Sequence, residues 1–340
     1  MVCSTTEPVP DSLMSTPKTR EVALTCNWCQ AKIQSVADFL LLSNDLRPVM
    51  RESVAVCGDS YSKCRDTIIA RTKGLSVLIS SMNAQLHSVT TRWHDIRDCL
   101  KEITELVISI IECCAHATLI ISVQKYQCLQ SQPGVIDKYT MVRANIDIEL
   151  CCRRIQQSNP VIEELSPQLL VDICSEISHN LSVMTECCHR AIACTDDCNQ
   201  EQYKLCVKCL TASASCLINS IKLYKASPTP THHHRCVTFA EPLIAAAKAL
   251  VTFSTEEEFT GIPGSTTSAG REAQTAILGS TMGITSSCTS FIKAIRDIAY
   301  DNTNERHRQR VPICSQSISK SIGQLAEVLV RFQMEDMSLN

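Results

Sequence analysis

Glycine and aromatic residues are scarce in this chain. Of 340 residues only nine are glycine, and none falls between Gly134 and Gly261. Proline is absent between Pro167 and Pro228. A stretch without either residue has almost no means of turning tightly at positive φ. This excludes glycine-dependent phosphate loops and strained nucleophile turns from the middle of the chain. Phe, Tyr and Trp make up 4%, whereas sheets favour aromatic and β-branched residues. Both shortages point to helices. Excess positive charge is missing too: the net charge is -3 and the pI about 6.3. No global field gathers nucleic acid, and an anionic partner must be met by a local patch. The opening MVCSTTEPVPDSLMSTPKTR lacks the apolar core of a secretory signal. The longest strongly apolar run, Leu106 to Ile121, is broken by Ser109, Glu112 and His116. It reads as too short and too polar for a bilayer, so no membrane insertion is expected.

What the chain does have is cysteine, 22 of them, and 44% hydrophobic residues, enough to fill real cores. Without a secretory signal these thiols imply a reducing cytoplasm and small buried apolar side chains. The length suggests about two domains. Residues 1–20 hold three of the twelve prolines with Ser and Thr and read as a disordered tail, as do 337–340. A first helix is expected from about Val22 to Asp45, on the stripe Val22, Cys26, Cys29, Ile33, Val36, Leu40. Residues 49–59 read as a loop. Further helices are expected over about 60–87, 92–126 and 137–157. Another starts at Ser166-Pro167, a hydroxyl cap with proline at the first helical position. Others cover about 199–225, 236–255 and 271–300, and a last helix ends near Phe332. Pro312 marks either its first turn or a kink. Breaks at Pro133-Gly134 and at residues 261–264 bracket four helices, with three before and two after. The pattern fits one helical bundle inserted into another, over 135–258 and over 21–132 with 262–336.

Candidate chemistry sits on helical stripes. Cys26-x-x-Cys29 and Cys206-x-x-Cys209 have metal-knuckle spacing, and Cys113-Cys114-x-His116 and Cys187-Cys188-His189 add thiols and imidazoles. Three residues apart is also the core spacing of a helix, so structural cysteine is the expectation and no metal or other cofactor is expected. His232-His233-His234 beside Cys236 reads as solvated loop. Gly279-x-x-x-Gly283 would allow a close helix contact. No G-x-S-x-G, P-loop or HExxH motif occurs. The remaining candidates are surface charges: Arg153, Arg154, Lys204, Lys208, Lys222, Lys225, Arg306, Arg308 and Arg310. These are either ordinary solvated cations or a docking patch for an acidic partner such as an actin filament. Phe239 stands just before Pro242, in a chain with only six Phe. It is either a staple on its own helix or the anchor of a symmetric contact.

Five strings carry a resemblance: CNWCQAKIQSVADFLLLSNDLRPV (26–49), CRDTIIARTKGLSVL (64–78), SPQLL (166–170), EQYKLCVKCLTASAS (201–215) and AQTAILGSTM (273–282). They resemble the talin rod helical-bundle family, and they are spread over nearly the whole chain beyond the first 20 residues. The resemblance implies an all-α protein of nine helices, a four-helix bundle inserted into a five-helix bundle. It also implies F-actin binding, homodimerisation through the inserted bundle, filament bundling in filopodia and effects on cell migration. Phe239 is then assigned to the dimer contact and the basic residues to the filament. Talin rod bundles also take amphipathic helices of adhesion proteins into their grooves. Two other readings compete: a scaffold for such helices that never touches actin, and a metal- or thiol-dependent enzyme.

Overall fold

The computed structural model describes residues 16–43, 45–88, 91–159 and 164–334. Positions 1–15 and 337–340 of the two expected tails lie outside the described residues. Among the described residues the chain forms eleven helices, nine of them seven residues or longer. In order they are α1 (Pro17–Leu41), α2 (Glu52–Ala55), α3 (Tyr61–His87), α4 (Trp93–Gln124), α5 (Lys138–Gln156), α6 (Pro167–Ile192), α7 (Asp197–Ala226), α8 (Pro230–Ser254), α9 (Glu257–Thr260), α10 (Ser268–Tyr300) and α11 (Glu305–Met334).

Side-chain caps set the helix starts. The hydroxyls of Thr16, Ser60, Ser166, Thr229 and Thr267 and the carboxylates of Asp137 and Asp196 each accept the backbone N–H three residues on. Such a cap satisfies one of the donors a helix leaves open, at about 1 kcal/mol. Capping also explains where the sequence reading stopped short. Thr16 with Pro17 starts α1 before Val22, so residues 17–20 are helical. Thr229 with Pro230 starts α8 ahead of the histidine run, so that run is helix and not loop. The segment 49–59 contains the short α2. Pro312 lies inside α11, past its first turn, and Pro242 lies inside α8.

Five long helices, α1, α3, α4, α10 and α11, share one core with α2. Here α1 packs between α4 and α10, α3 lies between α4 and α11, and α10 pairs with α11. A second core joins α5, α6, α7 and α8 in a ring, closed at one end by Phe259 of α9. A four-helix bundle is thus inserted between the third and fourth long helices of a five-helix bundle. Each fully buried Leu or Ile, such as Ile33, Leu100 or Leu217, contributes about 1.5–3 kcal/mol.

The two connections between the bundles run side by side. Leu129 and Ser265 exchange N–H···O bonds of 3.0 and 2.9 Å, Gln132 N–H donates to Ile262 O at 2.9 Å, and Ile136 N–H donates to Phe259 O at 3.0 Å. This close pairing accounts for the glycines that bound the glycine-free stretch. A Cβ on Gly134 would sit 2.1 Å from Phe259 O, and one on Gly261, at φ +79°, would sit 2.2 Å from Gln132 O. Of the pair on α10, Gly283 faces Ser321 of α11, whereas Gly279 faces open space.

Both α4 and α8 are long and apolar enough to cross a membrane by length and composition. The apolar run expected to be too short is the middle of the 32-residue α4, because its polar residues continue the helix. The most apolar stretch of α4 is 78% buried, as befits a core helix, but that of α8 is only 28% buried. An apolar helix so little covered is unusual for a protein surface.

Candidate interaction surface

The thiols are mostly inside. Cys26 and Cys29 are fully buried on α1, and burial pushes Cys114 and Cys288 up to about 12. Thiols held that high present little thiolate at neutral pH. Cys113 moves the other way, held below its ordinary value by a thiol hydrogen bond from Cys64 and by the Arg71 guanidinium. The second C-x-x-C pair departs from the core expectation, since Cys206 is half-buried and Cys209 exposed. On a helix three residues apart, one member faces the core edge and the other faces out. Among the described residues no group of three or more His, Cys, Asp or Glu side chains converges where a metal ion would sit.

The histidine run is not solvated surface throughout. His233 is buried on α8, its Nε2 2.8 Å from Ser158 Oγ and its ring edge-on to Tyr224 at 5.5 Å. Burial pulls its pKa down from the ordinary 6.5.

The basic residues separate into three places. Lys204, Lys208, Lys222 and Lys225 all belong to α7. At 3.6 residues per turn they fall within an arc of roughly 100° and extend about 30 Å along the helix. Lys204 pairs with Glu201 at 2.6 Å; Lys208, Lys222 and Lys225 are exposed, and no ion pair holds them among the described residues. Arg306, Arg308 and Arg310 lie on the first turns of α11, in the other bundle. Two of them are engaged at home: Arg308 donates to Leu86 O at 3.0 Å and Arg310 pairs with Asp297 at 2.9 Å. Arg153 is exposed on α5 and donates to Glu149 at 2.7 Å. Arg154 is no surface residue. It is 6% exposed and donates to Thr25 Oγ1 at 2.6 Å across the boundary to α1. The turn between neighbours in sequence rotates Arg154 into the seam while Arg153 faces water.

Phe239 is 36% exposed and sits in the middle of α8, not near its start. Gln156 of α5 bonds Glu241 on the opposite edge of α8, so Phe239 lies on the edge toward α7. On α7 the residues Leu205, Ala212, Cys216 and Leu223 form a second exposed stripe beside the lysines; Leu205 and Leu223 are 57% and 50% exposed. Their spacing of 18 residues is five helical turns, a signal present in the sequence that the lysines overshadow.

Sequence reasoning also missed the polar seam between the bundles. Lys32, buried on α1, reaches Asp147 of α5 at 3.1 Å, Glu105 of α4 at 2.7 Å and Glu176 of α6 at 3.6 Å. Arg143 of α5 pairs with Asp147 at 2.7 Å, and Tyr139 donates to Glu112 of α4 at 2.7 Å. The signal was Lys32 standing inside the apolar stripe of Cys29, Ile33 and Val36.

The longer helices thus form two bundles, each packed around its own core. No protein-family model matches the chain. It is 23% identical to mouse talin-2 over 243 residues, 71% of this chain and 10% of that protein. It is 22% identical to chicken talin-1 over 269 residues, 78% of this chain and 10% of that protein. With the talin of Oscarella pearsei it shares 23% over 303 residues, 88% and 11% of the two chains. The chain spans about a tenth of the length of these curated relatives. Fold and likeness together make it a talin-rod-like helical protein.

Proposed function

We propose that the chain is a non-enzymatic F-actin-binding and actin-bundling protein that acts as a homodimer, of the kind represented by talin rod domain-containing protein 1. The observation that carries the proposal is the outer surface of α7 and α8. Four lysines line one face of α7, beside them runs an exposed apolar stripe, and Phe239 is exposed on the neighbouring α8. The lysines suit an acidic filament, with an on-rate that falls as salt rises. The apolar strip suits a second copy of the same strip, since a two-fold contact pairs a patch with itself. Residues 21–132 with 262–336 and residues 135–258 are the two domains, and the inserted one supplies the contact. Two copies carry two filament sites, which act together through effective concentration and crosslink filaments. The working place is the cytoplasmic actin cytoskeleton, in filopodia and migrating cells. Arg153, Arg306, Arg308 and Arg310 are secondary filament contacts; the buried Arg154 is not one.

Actin pelleting at two speeds tests this. The full chain pellets with filaments at high speed and drags bundles down at low speed. Phe239→Asp is monomeric by light scattering, still pellets at high speed and forms no bundles. Lys204→Glu with Lys208→Glu weakens binding roughly tenfold at low salt. Dimers persisting in Phe239→Asp would remove the assignment of that contact. The exposed apolar stripe of α7 also suits an amphipathic helix of an adhesion protein. That scaffold reading predicts helix binding with no pelleting at either speed.

A further inference from the structure

One cation in the seam between the bundles makes no ion pair among the described residues. Lys32 and Arg143 share Asp147 and Glu105, Lys101 pairs with Asp172 at 3.2 Å, and Arg51 reaches Glu112 at 3.8 Å. Arg154 pairs with no carboxylate among the described residues. Its side-chain hydrogen bond goes to the neutral Thr25 hydroxyl, and its Nε has no partner. Its guanidinium lies 5.9 Å from the centre of the Trp28 ring. An unpaired buried charge is costly, and proteins rarely keep one without a use.

Two cavities border Arg154, and their linings differ. The larger, of about 580 Å³, contains Glu105, Asp147, Asp172 and Glu176, which repel an anion. The smaller, of about 260 Å³ between α1 and α5, has no carboxylate in its lining. Leu24, Trp28 and Leu150 give it apolar walls, and Arg153, Arg154 and Gln157 give it donors. That combination, apolar walls with a few convergent polar groups, is how small-ligand sites are built. We infer that this cavity binds a small organic oxyanion, a carboxylate or phosphate monoester with a flat apolar body. The oxyanion meets Arg154 in the bidentate geometry that guanidinium favours, and the apolar body lies against Trp28; Arg153 stands at the rim, where it keeps its pair with Glu149. Burial pulls Arg154 below its ordinary pKa, and a bound anion offsets that penalty. Because the ligand touches both α1 and α5, occupancy also tightens one bundle onto the other.

Tryptophan emission of the full chain tests the site. The chain has two tryptophans, so a Trp93→Phe background leaves Trp28 as the reporter. The probes are benzoate, phenyl phosphate, acetate and inorganic phosphate, at constant ionic strength set with chloride. Benzoate or phenyl phosphate gives a saturable change and raises the melting temperature. Acetate and inorganic phosphate bind at least about tenfold more weakly, for want of the apolar body. The tighter of the two aromatic probes tells carboxylate from phosphate. Arg154→Gln, folded by circular dichroism, loses the response. Arg153→Glu, at an exposed position, weakens it about tenfold by setting a negative charge beside the cavity. If Arg154→Gln does not fold, Arg153→Glu decides. The inference fails if no aromatic probe saturates, if the response survives both substitutions, or if inorganic phosphate binds as tightly as phenyl phosphate.

Discussion

A histidine placed in a helix interior exchanges its water for neighbours, and His233 shows the consequence. Its ring is buried against Tyr224 and Ser158, and burial favours the neutral form. The folded chain therefore binds fewer protons at this site than the unfolded chain. Its contribution to stability is complete above the unfolded pKa near 6.5 and is lost as pH falls through the lower folded value. Acidifying from neutral to pH 5 is expected to lower the melting temperature. His233→Asn, uncharged at either pH, is expected to flatten that part of the profile. Thermal unfolding of both proteins across this range checks it; equal slopes would place the acid sensitivity elsewhere. Reading the sequence left this ring in a solvated loop. Three adjacent histidines look polar, and only the Thr229 cap and the α7–α8 packing turn one of them inward while His234 stays exposed.

At the scale of elements, two glycines matter where the chain passes between bundles. Gly134 and Gly261 lie where backbones meet at distances that exclude a Cβ. Gly134→Ala is expected to cost about 1–3 kcal/mol by overpacking. Gly279→Ala is the control. This glycine is exposed inside α10 with open space before it, so alanine there adds about 0.5–1 kcal/mol of stability. Chemical denaturation of the two variants gives shifts of opposite sign if the contact at Gly134 is as close as described. Long helices were legible because their apolar residues recur at three and four. The short α2 was not, since a single turn carries no period, and the early starts of α1 and α8 depend on caps set ahead of the apolar stripe.

For the whole molecule, the question is how firmly one bundle is held against the other. Two antiparallel connections and a charged seam do the holding, with Lys32 at its centre. Burial pulls the Lys32 ammonium down, but Asp147, Glu105 and Glu176 outweigh it and its pKa is raised. Lys32→Met keeps much of the volume and removes the charge. It leaves Asp147 with only Arg143 and is expected to destabilise the fold by about 3–5 kcal/mol. Urea unfolding that changes by less than about 1 kcal/mol would mean water enters the seam and shields these groups.

The sequence alone determined the fold class, since a long stretch without glycine and with sparse proline, carrying apolar residues at helical spacing, has few other ways to bury them. Glycine and proline also marked where long helices end, and Gly134 and Gly261 stand where two backbones meet. Which faces stay uncovered was decided only in three dimensions. The rotation of neighbouring residues about a helix axis sends Arg153 to water and Arg154 into the seam, and the partners available to each, Glu149 on its own helix and Thr25 on another, come from the packing of helices far apart in the chain. Local periodicity reports that a residue faces inward or outward. It does not report what stands opposite, and the charge balance of a buried site depends on that.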